Sequence, residues 1–405
     1  MPSTKGNAVI GQSGGPTSVI NQSLVGVIRE IRKAGIVDKL LGARHGVRGI
    51  INDDFIDLNN VPEDLLERIA NTPAAALGST RDKPDQAYCE KIFNVFKKNN
   101  VRYFFYIGGN DSADTARIVQ ELGKHEHYDL KVFHIPKTID NDLRVHDHTP
   151  GYGSAAKFVA AAVMGDNYDN RSLPGIKIDV IMGRNAGFLT AASVLGRQHD
   201  NDGPHLIYVP EAPLGEEKYL ADVERIYSKH GRCLIAASEG ISRPDGKTWA
   251  EAMASNLEKD AHGNIQLSGT GALADYLASL ITKKLQQPGG KKLRVRADTF
   301  GYLQRSFPGF VSEVDAREAH LVGQMAVKYA AEGQNGGSVA MRRAGGSEYR
   351  IETFVTPLST VARETKHMDS SYISDGNNIS DSFKAYAAPL VGPLPRVGTF
   401  DELRK

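Results

Sequence analysis

Short apolar runs alternate with amphipathic stretches along most of this 405-residue chain, and this alternation limits the fold more than any other feature. Apolar residues repeat at helical spacing over 19–33 and again over 313–331. Strands buried on both faces read as nearly continuous apolar runs, so the pattern predicts an α/β fold with parallel-rich sheets flanked by helices. Ligands in such folds bind in loops at the carboxyl ends of the strands. The predicted strands cover residues 7–12, 101–107, 130–135, 176–182, 205–209, 232–238 and 292–297.

Charge and cysteine content narrow the class of function. The 49 Lys and Arg residues nearly balance the 48 Asp and Glu residues, giving a formal net charge of +1. This balance does not favour nucleic acid or an anionic membrane as a partner, so an anion site must be a local cluster. Cys89 and Cys233 form no CxxC pair, which argues against a zinc site and fits a reducing cytoplasm. We expect neither a signal peptide nor a transmembrane helix, because no apolar run reaches about 18 residues.

The first motif with phosphate chemistry is GQSGGPTSVINQSL, in which Gly14 and Gly15 stand between a predicted strand and a predicted helix. Backbone N–H groups at such a turn, together with the helix N-terminus, can cradle an anion. An ordinary tight turn explains the motif equally well when it is taken alone. The Walker pattern GxxxxGK[ST] does not occur in the chain.

The second motif is FFYIGGNDSADTA, in which Asn110, Asp111 and Ser112 follow a predicted buried strand. Asp111 or Ser112 could simply cap the helix that follows. The functional alternative is an oxygen ligand for Mg²⁺ beside a phosphate.

The third motif is HIPKTIDND, which places Lys137, Thr138, Asp140 and Asp142 directly after a strand. Two carboxylates two residues apart, beside a lysine and a hydroxyl, are hard to explain by packing. An acceptor hydroxyl needs a base to take its proton, and a phosphoryl donor needs a cation. Asp140 suits the first task and Lys137 the second.

Four arginines near predicted strand ends could bind phosphate through paired hydrogen bonds. Arg81 ends GSTR, Arg184 ends MGR, and Arg296 and Arg305 lie in VRADTFGYLQR. A single arginine is more often a solvated surface residue, so each of them is weak by itself.

The ordered set GGPTSVIN, GSTR, GGNDS, PKTIDND, MGR, SEG and GYLQR resembles the phosphofructokinase family over roughly residues 7–330. The resemblance implies two Rossmann-like α/β lobes with the active site in the cleft between them. It also implies Mg²⁺-dependent phosphorylation of fructose 6-phosphate. We assign residues 1–150 and about 306–343 to a phosphoryl-donor lobe, 151–305 to a sugar-phosphate lobe, and 344–405 to a C-terminal appendage.

Two positions separate the donor classes in that family. Members that use ATP generally carry glycine after the Mg²⁺-binding residue of the second motif and before the threonine of TIDND, whereas pyrophosphate users carry aspartate and lysine. This chain has Asp111 and Lys137. A carboxylate at Asp111 would repel an ATP α-phosphate, and Lys137 would offset charge on the compact pyrophosphate. The resemblance therefore implies reversible transfer from pyrophosphate to the 1-hydroxyl of fructose 6-phosphate.

Other roles follow from the resemblance residue by residue. Asn110 is the implied Mg²⁺ ligand, although many members have aspartate there. Asp140 is the implied general base, and one phosphate-binding arginine is supplied across the subunit interface of a homodimer or homotetramer. The implied pyrophosphate-binding residues are Gly14, Gly15, Arg81, Ser112 and Lys137. The implied fructose 6-phosphate-binding residues are Thr138, Asp140, Asp142, Met182, Gly183, Arg184, Glu239, Arg296, Tyr302 and Arg305.

Several alternatives stay open at this point. The same chemistry on sedoheptulose 7-phosphate or with ATP as donor is possible, as is a catalytically silent regulatory subunit. SGTGALADYL, with Gly269, Gly271 and Ala274, matches a dinucleotide fingerprint, which would suit a dehydrogenase; a simple helix start is favoured. His146-Asp147-His148 could bind a transition metal, although such spacing in a loop is more typical of a solvated turn.

Overall fold

The computed structural model describes residues 5–253, 271–286, 288, 290, 292–346, 348–362 and 364–404. The chain divides into two compact units. Unit 1 consists of Met1–Ala155 and Arg305–Lys366, and unit 2 consists of Ala156–Gln304 and His367–Lys405. Among the described helices, none has the length and apolar character needed to span a membrane.

Every strand predicted from an apolar run is present in the structure. The strands of the described residues are β1 (Asn7–Gln12), β2 (Leu40–Ala43), β3 (Phe55–Asp57), β4 (Val101–Gly108), β5 (Lys131–Pro136), β6 (Ile176–Ile181), β7 (Leu206–Tyr208), β8 (Cys233–Ser238), β9 (Val295–Thr299), β10 (Gly336–Arg343), β11 (Ile351–Thr356), β12 (Ile373–Ser374) and β13 (Asn378–Ile379).

Helices connect most of the strands, as expected for parallel sheets. The α-helices of the described residues are α1 (Ile20–Ala34), α2 (Val47–Ile51), α3 (Glu63–Ala70), α4 (Gln86–Lys98), α5 (Asn110–His125), α6 (Tyr152–Ser172), α7 (Phe188–Ala191), α8 (Glu216–His230), α9 (Trp249–Ala252), α10 (Ala272–Leu285), α11 (Leu303–Ser306), α12 (Glu313–Ala331) and α13 (Asp381–Val391).

Unit 1 is built on a seven-stranded sheet with the order β11-β10-β5-β4-β1-β2-β3. The pairs are parallel except at the two ends, where β10–β11 and β2–β3 are antiparallel. Strand β4 shows why the apolar runs are continuous: Phe105 packs into the core on one face of the sheet and Phe104 into the core on the other.

Helices α1 and α12 of unit 1 approach each other at glycines. A β-carbon built on Gly26 would lie 2.3 Å from the carbonyl oxygen of His320, and one built on Gly323 would lie 2.2 Å from that of Ser23. Any larger side chain at either position would force the helices apart, so each contact requires glycine. This packing holds α1, whose first turn belongs to the first motif, against α12.

Unit 2 contains a parallel four-stranded sheet with the order β7-β8-β6-β9. Strands β6 and β8 are almost wholly buried, whereas β9 is an edge strand whose residues alternate between half-buried and exposed. The carboxyl ends of β6 and β8 are adjacent because Ile181 pairs with Ser238. The MGR and SEG motifs follow these two ends.

Residues from about 344, which the sequence analysis places in an appendage, are divided between the units. Strand β11 pairs with β10 along its whole length and so extends the sheet of unit 1. Residues 367–405 belong to unit 2, where the N–H of Ile207 donates to the carbonyl of Asn377 over 2.9 Å. Polar and glycine-rich sequence around β11 hides its pairing, because an edge strand needs few apolar residues.

Candidate active site

The loop after β1 folds back on the GSTR segment. Gly14 has a φ of +77°, a conformation that favours glycine. Its N–H donates to the carbonyl of Thr80 over 2.9 Å, and the Ser79 hydroxyl donates to the Gly14 carbonyl over 2.6 Å. The structure therefore brings these two motifs together beside the carboxyl end of β1, and Arg81 follows directly.

Lys137 is buried against the same loop, and its Nζ donates to the carbonyl of Gly15 over 2.7 Å. Burial lowers the pKa of this ammonium to about 8. The carboxylate of Asp140 opposes that decrease, whereas the charges of Arg305 and Arg81 add to it. A lysine with this pKa loses its charge as the pH rises through about 8.

Two basic side chains cover the glycine pair. A β-carbon built on Gly14 would lie 3.2 Å from Lys137 Nζ, and one built on Gly15 would lie 3.2 Å from Arg305 Nη1. The resemblance implied a sugar-phosphate contact for Arg305, yet its guanidinium lies beside a glycine assigned to pyrophosphate. The loop thus presents bare backbone next to two cations, which suits a compact anion.

The second motif joins β4 to α5, which begins at Asn110 after the N-cap Gly109. A β-carbon on Gly108 would lie 2.0 Å from the Ser112 hydroxyl, which packs the start of the helix tightly against the strand end. The Asn110 amide nitrogen donates to the carbonyl of Glu364 over 3.2 Å. Its Oδ1 is buried and has no hydrogen-bond partner among the described residues, so it is an acceptor that a cation could satisfy.

Asp111 occupies the first turn of α5 and is exposed. Its carboxylate lies 3.2 Å from the ammonium of Lys83, two residues after Arg81. An exposed pair of this kind contributes little to stability. The pair places the Asp111 carboxylate beside the segment that carries Arg81.

The third motif begins a loop whose two ends are joined. The N–H of Thr138 donates to the carbonyl of Pro150 over 3.2 Å, and the Thr149 hydroxyl donates to the carbonyl of Thr138 over 2.9 Å. The N–H of Asp140 donates to the Thr138 hydroxyl over 3.1 Å. Thr138 and Asp140 are half-buried at the start of this closed loop, which we call the 138–151 loop.

Asp142 is also half-buried, and burial raises the pKa of its carboxyl, opposed by its own backbone N–H and by the charge of Lys366. Asp140, two residues earlier, is half-buried as well. Asn141 between them has a φ of +58°, which turns the chain sharply.

The expectation of a solvated turn at His146-Asp147-His148 is wrong, because both histidines are buried. His148 Nδ1 lies 2.7 Å from Asp147 Oδ2, and His148 Nε2 lies 2.6 Å from Glu318 Oε2. Burial by itself would lower the pKa of His148, but the hydrogen bonds to the two carboxylates outweigh it and raise the pKa. A ring engaged at both nitrogens is not available to a metal, so the segment ties the 138–151 loop to α12.

In unit 2, the MGR and SEG motifs lie side by side. The Ser238 hydroxyl donates to the carbonyl of Gly183 over 2.6 Å, and the N–H of Glu239 donates to the carbonyl of Ile181 over 2.8 Å. A β-carbon on Gly240 would lie 1.9 Å from the Arg184 carbonyl oxygen, so the approach of the two loops requires glycine there. Glu239 is buried at this junction.

The GYLQR motif reaches the same strand ends. The N–H of Met182 donates to Gln304 Oε1 over 3.0 Å, and Tyr302 nearby is 48% exposed. Arg296 is placed differently: it pairs with Lys177 at the amino-terminal part of β6. Lys177 precedes Ile181 by four residues, roughly 13 Å along a strand. Within unit 2, Arg296 is therefore not brought to the MGR motif.

Lys177, the β6 residue that pairs with Arg296, is surrounded by carboxylates. Its ammonium contacts the carboxylate of Asp298 and lies 3.5 Å from that of Asp166 and 3.7 Å from that of Asp179. For the dinucleotide fingerprint, Gly269 lies outside the described residues. Gly271 directly precedes α10, so the described part of the motif is a helix start.

The sequence model of the family described as Phosphofructokinase matches residues 7–330 of the chain. The chain belongs to the phosphofructokinase family. This family member is 53% identical over 389 residues to the pyrophosphate–fructose 6-phosphate 1-phosphotransferase of Rhodospirillum rubrum, covering 96% of this chain and 95% of the relative. It is 37% identical to the enzyme of the same name from Xanthomonas campestris, over 99% of this chain and 96% of the relative.

Solved structures agree with this assignment. The crystal structure of the pyrophosphate-dependent phosphofructokinase from Marinobacter aquaeolei superposes with a TM-score of 0.83 at 32% identity. The match covers 96% of this chain and 92% of that one. The predicted phosphofructokinase fold is thus confirmed.

Sequence reasoning missed several residues that contact the motifs of this phosphofructokinase. Gln304 could have been found, since it lies inside GYLQR beside the residues that were chosen. Glu364 and Lys366 could not, because they lie in a polar, turn-rich stretch without a strand-to-helix pattern. Their contacts with Asn110 and the 138–151 loop depend on how the chain returns to unit 1.

Proposed function

We infer that this chain transfers a phosphoryl group from pyrophosphate to the 1-hydroxyl of fructose 6-phosphate, reversibly, forming fructose 1,6-bisphosphate and phosphate. The observation that carries the choice of donor is Lys137, whose buried ammonium lies 2.7 Å from the Gly15 carbonyl. A cation fixed against a glycine loop suits a small, highly charged donor. The relatives named above, which the chain matches over nearly its whole length, carry the same activity in their names.

On the donor side, Gly14 and Gly15 leave room for pyrophosphate to approach the backbone, because they carry no β-carbon. Ser112 offers a hydroxyl, and Arg81 and Lys137 offer positive charge. Lys137 stabilises the negative charge that develops on the leaving phosphate. Asp111 keeps ATP out, because its carboxylate would repel an α-phosphate.

Asn110 fits the role of a Mg²⁺ ligand, because its buried Oδ1 lacks a hydrogen-bond partner among the described residues. Mg²⁺ prefers oxygen ligands. When bound, the ion would neutralise charge on the pyrophosphate oxygens, the task it has in phosphoryl transfer generally.

On the acceptor side, Asp140 takes the proton of the sugar 1-hydroxyl as that oxygen attacks the nearer phosphorus of pyrophosphate. The bond to the bridging oxygen breaks, and phosphate leaves with the electron pair. Thr138 and Asp142 hold the sugar beside Asp140. Met182, Gly183, Arg184, Glu239 and Tyr302 bind the rest of fructose 6-phosphate.

Arg296 completes the 6-phosphate site from a second copy of the chain. Its place on the exposed edge strand β9, away from the MGR motif of its own chain, supports this assignment. We therefore propose a homodimer or homotetramer. Two buried free cysteines and sugar-phosphate substrates fit the cytoplasm.

A donor screen tests the function directly. Purified protein is assayed with fructose 6-phosphate and Mg²⁺, with either pyrophosphate or ATP, and fructose 1,6-bisphosphate is measured. We expect turnover with pyrophosphate and almost none with ATP. Turnover only with ATP would overturn the donor assignment, and faster turnover with sedoheptulose 7-phosphate would overturn the acceptor assignment.

Replacing Arg184 or Arg305, the arginines of the MGR and GYLQR motifs, should weaken the binding of different substrates. Arg184→Ala should weaken fructose 6-phosphate binding by about 1.5–3 kcal/mol, because a charge-assisted contact to phosphate is lost. Because Arg305 lies beside Gly15, Arg305→Ala should raise the KM for pyrophosphate as well as that for the sugar phosphate. The measurement is the KM of each substrate at saturating concentration of the other; an Arg305→Ala effect on fructose 6-phosphate alone would place its guanidinium at the sugar end.

The pH dependence of the reaction should report Lys137. Its pKa is lowered to about 8, so the side chain is positively charged below that pH and loses its charge as the pH rises through it. We expect kcat/KM for pyrophosphate to fall above about pH 8. Bound pyrophosphate favours the charged lysine, so kcat should fall only at higher pH.

Lys137→Arg is the matched control for this profile, because arginine stays protonated throughout the range. Its residual activity should lack the decrease near pH 8. If the decrease persists unchanged in Lys137→Arg, another group causes it.

A further inference from the structure

Residues Glu364–Met368, here called the return segment, contact several motifs of the active site in turn. The carbonyl of Glu364 accepts a hydrogen bond from Asn110, and the Glu364 carboxylate pairs with Arg144. Thr365 forms a bridge with Leu143 of the 138–151 loop. The segment therefore lies along the candidate metal ligand and the candidate base loop within unit 1.

Lys366 makes the most extensive of these contacts. Its backbone N–H donates to the carbonyl of Asp142 over 2.7 Å. Its Nζ donates to the carbonyl of His146 over 3.0 Å and to that of Asp147 over 2.9 Å. These three carbonyls belong to the middle of the 138–151 loop, where the backbone has no helix or strand to order it.

The ends of that loop are held by other groups. Thr149 and Pro150 join it to Thr138, and the N–H of Gly151 donates to Asp315 over 2.8 Å. Fixing the ends of a long loop leaves its interior free to move unless something inside it makes contacts. Later in the loop, the N–H of Asp147 donates to the carbonyl of Met341 over 2.9 Å, and His148 contacts Glu318. Lys366 holds the loop closer to the candidate base, at Asp142, two residues after Asp140.

The chain then enters unit 2, where His367 contacts the loop after Arg184 and Met368 contacts Glu211. His367 Nδ1 lies 2.9 Å from the carbonyl of Asn185, and the N–H of Met368 donates to Glu211 over 2.9 Å. Glu211 also accepts the N–H of Gly187.

We propose that Lys366 is a positioning residue, which aims the Asp140 carboxylate by holding the 142–147 backbone. The proposal rests on the proposed function of Asp140. Reacting groups tolerate little misplacement, since a shift of about 1 Å can cost roughly 100-fold in rate. Holding a loop should therefore affect kcat while leaving substrate affinity largely intact.

The test compares Lys366→Met, which keeps the length of the side chain without donors, with Lys366→Arg, which keeps charge and donors. We expect Lys366→Met to lower kcat roughly 10- to 100-fold. The Kd values of pyrophosphate and fructose 6-phosphate, measured at equilibrium, should change by no more than about twofold. Lys366→Arg should recover part of the loss.

Arg197→Met is the matched control for a merely structural role. Arg197 is a partly buried cation in unit 2 that donates to the carbonyl of Pro204 over 2.9 Å and contacts none of the motif residues described above. The Arg197→Met variant should have a lower Tm than the wild type but the same kcat. If Lys366→Met lowers kcat no more than Arg197→Met does at a similar decrease in Tm, the positioning role is overturned.

The test allows for a variant that does not fold and for a wild type that uses another donor. If Lys366→Met does not fold, Lys366→Gln, which keeps an amide donor, replaces it in the same comparison. If the wild type uses ATP rather than pyrophosphate, the proposed function fails, and the kcat comparison is made with ATP. Equal losses in kcat and in both affinities would show a general disturbance of the site and would contradict the proposal.

Discussion

Replacing Asp140 by asparagine should lower kcat by roughly 10²–10⁴, because the amide keeps the shape of the side chain but cannot accept the proton of the acceptor hydroxyl. The loop should keep its conformation, because Asp140 donates to the Thr138 hydroxyl through its backbone N–H and the substitution does not change that group. The equilibrium affinity for fructose 6-phosphate should change little. The measurement is kcat at saturating substrates together with Kd for the sugar phosphate.

Asp38→Asn is a suitable control, since Asp38 is exposed and lies outside every motif. It should behave as the wild type in both measurements. Near-wild-type turnover in Asp140→Asn would remove Asp140 from the chemistry and leave Asp142 as the carboxylate to test.

Asp111 and Lys137 have different proposed roles in selecting the donor, so replacing each one separately should change activity in a different way. Asp111→Gly should allow measurable turnover with ATP, because the carboxylate that would repel the α-phosphate is gone. The Lys83 ammonium, which lies 3.2 Å from that carboxylate, would then be available to the added phosphate. The measurement is kcat/KM with ATP and with pyrophosphate at a fixed concentration of fructose 6-phosphate. The ratio of the two values gives the donor preference of each variant.

Lys137→Gly should instead lower turnover with pyrophosphate by roughly 10²–10³, the typical loss when one group that stabilises developing charge is removed. Because Lys137 also donates to the Gly15 carbonyl, part of the loss could come from a displaced loop. Lys137→Met keeps most of the volume and loses the charge, so a similar loss in both variants assigns the effect to charge. A wild type that prefers ATP would contradict both parts of this prediction.

The central strands could be predicted from the sequence because burial on both faces leaves a continuous apolar run. Strand β4, with VRYFFYIG, shows this plainly. Strands β10 and β11 were missed because GGSVAMRR and IETFVT mix glycine, charge and apolar residues, as an antiparallel edge of a sheet allows. Continuous apolar runs therefore predict the buried strands of a parallel sheet but not the strands at its antiparallel end.

The candidate site divides in the same way. Local patterns found the loops that follow strand ends, such as the one containing Gly14 and Gly15. They did not predict that Arg305 lies beside Gly15 or that Lys366 holds the 138–151 loop, since both contacts join residues far apart in sequence. Such contacts follow from the path of the chain rather than from any short stretch of it.

The sheet of unit 1 has a consequence for biosynthesis. The strand next to β5 is β10, and Val132 pairs with Gly336, so about half of the polypeptide is synthesised between the two strands. Until the ribosome has released β10, the emerging chain displays the open edge of β5, with backbone groups able to pair with another nascent chain. Pairing between such distant segments also folds slowly. Assistance from a chaperone during translation, or a lower expression temperature in a recombinant host, should therefore raise the yield of folded protein.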